Sequence, residues 1–119
     1  MATYSREKLS GSTNGKSIKI AQTATAGTTI HSAVSGTTDW DEVYLWVTNT
    51  SANPVALTME WGGVTDPDNL LVKSLVIPPN SPPIPVVAGL IIQNSLTVAA
   101  FAGTANVLLI TGYVNRIAA

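Results

Sequence analysis

The chain has no cysteine and a single histidine, His31, in 119 residues. The first absence removes disulfides, thiolate nucleophiles and sulfur-ligated metal, and the second removes most catalytic triads and imidazole-rich metal sites. Charge is equally scarce: six Lys and Arg against seven Asp and Glu make 11% of the residues, where soluble domains usually carry about 25%. With a net charge of −1 there is no basic field to hold phosphates, so no nucleic-acid partner is expected. No apolar run approaches the 18 or so residues of a membrane span, and Met1 to Lys8 has no apolar signal-peptide core, so we expect no membrane partner and synthesis within a cell. Aromatic residues are few as well, at three Trp, three Tyr and one Phe.

What is present is β-forming. Thr (15), Val (12) and Ile (9) dominate, and β-branched side chains suit a pleated sheet better than a helix. Residues 1–15 are polar, contain the mixed-charge cluster Arg6-Glu7-Lys8 and end in the turn-like Gly11-Ser12-Thr13-Asn14-Gly15. They read as an N-terminal arm ahead of a domain at 16–119, although an ordinary frayed terminus has the same composition. Lys16 to Ile20 alternates polar and apolar, with Ile18 and Ile20 inward. Thr28 to Ala33 is a weaker strand. In Glu42 to Asn49, Val43, Leu45 and Val47 share one face and Tyr44 and Trp46 the other, which predicts a central or doubly covered strand. Val55 to Trp61 follows across a loop with Asn and Pro, so the two read as a hairpin. Leu70 to Ile77 is a further strand. Five prolines between Pro78 and Pro85 deny ladder hydrogen bonds and mark a surface crossover or an edge. Short strands continue through Val86-Val87, Leu90 to Gln93, Leu96 to Ala102 and Val107 to Val114. About eight strands with turn signals between them predict an all-β, single-domain, jelly-roll-like antiparallel β-sandwich.

Candidate chemistry is thin. Asp66-Pro67-Asp68-Asn69, with Glu60 nearby, resembles a fragment of an oxygen-ligand Ca²⁺ site, but a Pro-centred turn bonding its own backbone explains it better. Asp39, Asp41 and Glu42 around Trp40 would suit acid–base work or a sugar grip, or simply mark an exposed loop before a strand. His31 has no Ser or Asp at a recognisable spacing and is given no role. The three Trp with Tyr4, Tyr44 and Tyr113 would make a carbohydrate-stacking platform, or serve as core and subunit contact. No catalytic, cofactor or metal residues are assigned, and an enzyme is the least expected class.

Three phrases carry a resemblance: Ala2 to Lys16 (ATYSREKLSGSTNGK), Glu60-Trp61-Gly62-Gly63, and Gly112-Tyr113-Val114-Asn115-Arg116-Ile117. Together they resemble small proteins of tailed bacteriophages, similar to capsid decoration or cement proteins. The resemblance implies a compact jelly-roll chain, commonly trimeric, that sits on the head surface of a virion assembled in the bacterial cytoplasm. It implies no active site and no cofactor, and its partners are major capsid protein and further copies of the chain. The expectation is therefore a non-enzymatic homotrimer clamping capsomers, with Tyr4, Arg6 and Lys8 of the arm, and Trp40, Tyr113 and Arg116, as contact residues and the apolar last strands as the subunit interface. Deleting residues 1–15 is expected to spare the fold. A neck or tail role is one alternative, and a carbohydrate-binding β-sandwich using Trp40 and Trp61 with Asp39 and Asp41 is another.

Overall fold

The computed structural model describes residues 2–119. Among the described residues nine strands form: β1 (Thr3–Lys8), β2 (Ile18–Lys19), β3 (Thr28–Ser32), β4 (Trp40–Asn49), β5 (Val55–Trp61), β6 (Leu70–Ile77), β7 (Ile84–Ile92), β8 (Thr97–Ala102) and β9 (Leu108–Ala118). One sheet runs β1-β9-β4-β7, with β2 also on β9, and the other runs β3-β8-β5-β6. Every ladder is antiparallel. The pairings are nested, with β5–β6 innermost, then β4–β7, β3–β8 and β2–β9. A long hairpin folded over on itself in this way is a jelly roll, so the expected all-β sandwich is the observed one.

Alternation explains the core. In β4 the odd-numbered positions Val43, Leu45 and Val47 are fully buried, while Trp40, Glu42, Tyr44, Trp46 and Thr48 are half-buried on the outer face. Leu57 and Met59 of β5, Val98, Ala100 and Ala102 of β8, and Leu108, Ile110 and Val114 of β9 meet them from both sheets. Ile18 and Ile20 point inward as their alternation predicts.

Four expectations change. The strands before and after Thr50 to Pro54 do not pair; β4 and β5 lie in different sheets, and the hairpin is β5–β6. A five-residue loop is long enough either to turn back or to cross the sandwich, and here it crosses. The polar leader is strand β1, paired over its whole length with β9 from Thr3–Ala118 to Lys8–Tyr113. Leu9 behind it is 1% exposed, and Gly11 donates its N–H to the Ile30 carbonyl at 3.0 Å. Deleting residues 1–15 would therefore remove core, not only an arm. The apolar last strands β8 and β9 are interior to their sheets and fill the core. Most of the large apolar side chains left in water are instead Leu71, Leu75 and Val76 on β6 and Leu90 and Ile91 on β7, the edge strands joined by the proline-rich crossover; Val64 and Leu96 lie in loops.

Candidate functional site: an aromatic sheet face and the cleft at its end

The register of β1, β9 and β4 gathers residues far apart in sequence. Tyr4 lies opposite Ile117, which lies opposite Trp40; Arg6 aligns with Asn115 and Glu42; Lys8 aligns with Tyr113 and Tyr44; Trp46 faces Thr111. These rows occupy the outer side of the first sheet. Five of the six Trp and Tyr side chains of the chain stand there, Trp61 excepted. The Tyr44 and Tyr113 rings stack at 5.1 Å between centroids, Trp46 leans on Tyr113 at 6.1 Å, and the Arg6 guanidinium lies 4.6 Å above the Tyr113 ring. Aromatic packing and a cation on the ring face pre-order this surface. Tyr4 is 76% exposed.

Arg116 does not join that face. It is the register partner of Asp41 and points to the same inner side, where its Nε donates to Asp41 Oδ1 at 2.8 Å and its Nη2 to Oδ2 at 3.1 Å. Oδ2 also accepts the Val34 N–H at 3.1 Å and His31 Nε2 at 2.8 Å. The Ser10 N–H donates to His31 Nδ1 at 3.0 Å, which fixes Nε2 as the protonated nitrogen. His31 faces inward because the β3–β8 register slips between Thr29 and His31, so Ile30 and His31 are both buried. Burial by itself would raise the Asp41 carboxyl; the hydrogen bonds from Arg116 and His31, the guanidinium charge and the Val34 amide outweigh it and hold the group below its ordinary value. The same pairing, against the cost of burial and with help from Glu7 and Asp39, raises Arg116. The network ties β3 of one sheet to β4 and β9 of the other and engages Asp41 in four hydrogen bonds, three on Oδ2 and one on Oδ1. Asp39 accepts the Ala119 N–H at 3.1 Å, and Glu42 projects from the opposite face of β4, so the three carboxylates around Trp40 form no pair.

Beside this brace, where β4 begins and β5 and β7 end, opens a cleft of about 610 Å³. Trp40 and Trp61 line it from different sheets, with Ile91, Leu96, Asn69 and Gln93 among the other walls. Trp40 and Trp61 thus come together as the carbohydrate alternative requires, without Asp39 and Asp41. At another point of the surface Glu60, 1% exposed, accepts Thr25 Oγ1 at 2.5 Å and the Gly27 N–H at 2.7 Å. Asp66 pairs with Lys73 Nζ at 3.0 Å, and no three His, Asp or Glu side chains converge as metal ligands among the described residues. The Ca²⁺ fragment is a turn: Asn69 Oδ1 accepts the Thr65 N–H at 3.1 Å. Sequence reasoning placed Asn69 only in the Asp66–Asn69 turn and missed Gln93, Leu96 and the β6–β7 edge. The one available signal was Leu70 to Ile77, whose apolar residues do not alternate and so cannot all be buried.

Comparisons with protein families, with curated proteins and with solved structures find no match to this chain.

Proposed function

We propose that this is a non-enzymatic virion protein, a capsid decoration protein whose outer β1-β9-β4 face docks on major capsid protein. The observation that carries the reading is the concentration of Tyr4, Arg6, Trp40, Tyr44, Trp46 and Tyr113 on one solvent-facing surface of a chain otherwise poor in aromatics and charge. Tyr, Trp and Arg are the side chains that dominate binding energy at protein interfaces, because they bury large area at low entropic cost and still offer polar handles. The unpaired β6 and β7 edges carry Val76 at 61% and Ile91 at 58% exposure. A long apolar edge left in water invites pairing, and contact with further copies in a homotrimer covers it. Function then follows from linkage: a ligand that binds only the mature lattice stabilises it by mass action, and linked copies add avidity.

The test is co-sedimentation of purified chain with shells of the major capsid protein from the same genome, beside light scattering across a dilution series. The expected results are saturable binding weakened at least tenfold by Tyr113→Ala, and a mass near three times 12.4 kDa that falls in Val76→Glu. A monomer that stays in the supernatant overturns the reading. Copy number per particle separates decoration from a neck or tail position.

A further inference from the structure

We infer that the cleft between Trp40 and Trp61 is a binding site for a neutral oligosaccharide. The cleft shares Trp40 with the sheet face described above but opens at the end of that sheet, and the inference holds whether or not the chain docks on a capsid.

The chemistry of the walls selects the ligand. None of the residues lining the cleft is charged, so a phosphate, carboxylate or ammonium group would lose its hydration there and gain no counter-charge. The walls are mainly apolar, with two indole rings contributed by β4 and the end of β5. Within them stand two amides with unused capacity. Asn69 spends Oδ1 on the Thr65 N–H, leaving Nδ2 without a protein partner, and the Gln93 amide makes no side-chain hydrogen bond among the described residues. A hydrocarbon chain would cover these amides and leave them unpaired, stripped of water with nothing in exchange. A pyranose satisfies both kinds of wall, since its C–H faces stack on indole and its equatorial hydroxyls reach donors and acceptors at the rim. The volume, about 610 Å³, falls within the roughly 300–1,000 Å³ of small-ligand sites.

The cleft is also held open by the fold. Trp61 donates its backbone N–H to the Asn69 carbonyl at 2.7 Å, and Gly62 donates to the Thr97 carbonyl at 2.9 Å. Gly62 has φ +78°, and a Cβ on Gly63 would strike the Asn69 amide. Glycine at 62 suits the left-handed backbone of this turn, and glycine at 63 leaves the Asn69 amide where it stands. On the other wall, Asp41 beside Trp40 is clamped by Arg116 and His31. A preformed site loses less entropy on binding.

The test uses the whole chain with maltohexaose, cellohexaose and chitohexaose as probes, followed by tryptophan fluorescence and titration calorimetry, and a proline-rich decapeptide as the competing ligand class for an aromatic groove. The expected result is saturable binding of at least one glycan, weakened about tenfold by Trp61→Ala, the size of one lost aromatic contact. Because Trp61 packs against the core, Gln93→Ala provides a second, structurally mild variant that should weaken binding several-fold, while Lys16→Ala should leave it unchanged. The inference is overturned if none of the three glycans saturates, if binding survives both Trp61→Ala and Gln93→Ala, or if only the peptide binds.

Discussion

Replacing Asp41 by Asn tests whether the buried brace holds the two sheets together. Asp41 is fully buried and accepts four hydrogen bonds, two from Arg116 and one each from His31 and the Val34 amide. Asn keeps the shape and, with its oxygen at the Oδ2 position, keeps three acceptor contacts. It loses the charge and turns an NH₂ toward Arg116 Nε. Breaking a buried pair costs about 3–5 kcal/mol; the Arg116 side chain is 33% exposed and can turn partly to water, which lowers the expectation to about 2–3 kcal/mol. For a chain of this size that is a Tm about 8–12 °C lower at pH 7, read by scanning calorimetry. The pH dependence has a definite sign. The folded Asp41 carboxyl titrates below its ordinary value of 3.8, so its stabilisation is complete above that value and is lost as pH falls below it toward the folded value. The gap between wild type and Asp41→Asn should close over that acid window and stay constant above it. A loss smaller than about 2 °C at pH 7, or a gap that does not narrow in acid, refutes the brace.

Two further outcomes follow from the same packing. Glu60→Ala leaves the Thr25 hydroxyl and the Gly27 N–H without their acceptor, and a urea titration should give a stability lower by about 1–3 kcal/mol. Removing residues 2–8 takes away an exposed edge strand and should leave a cooperative melt, whereas removing residues 2–15 also deletes buried Leu9 and the Ser10 bonds to His31 and Ser32 and should cost about 2–5 kcal/mol more.

Where side-chain alternation and burial coincide, the fold was legible. Val43, Leu45 and Val47 announce an inward face, and Ile18 and Ile20 do so over only two paired residues. The pairing partner was not legible, because Thr50 to Pro54 has the composition of a turn whether the chain returns beside β4 or crosses to the other sheet. Strand β1 was hidden for a different reason: on its inner side Thr3 and Ser5 are exposed and Glu7 is half-buried, so no apolar periodicity marks them, and their strand exists through backbone pairing with β9. The same pairing brings the arm residues Tyr4, Arg6 and Lys8 onto one surface with Trp40 and Tyr113. Arg116, expected among the contact residues, turns to Asp41 on the inner side instead of joining that surface. His31 and Arg116 stand 10 and 75 residues from Asp41, distances at which no local pattern joins them.

The proposed surfaces are not independent, and the overlap limits how they can be used together. Trp40 ends a row of the aromatic face and also walls the cleft, and Ile91 lines the cleft from the exposed β7 edge. A subunit contact that covers Ile91 narrows or completes the cleft, and docking that pins Trp40 fixes one of its two indoles. By linkage, whatever glycan binding gains or loses on assembly, assembly gains or loses on glycan binding by the same factor. Trp40→Ala would confound the two, since it touches both. Trp61, absent from the sheet face, and Tyr113, absent from the cleft, are the side chains that separate them, and a variant at each isolates one surface while the other stays intact.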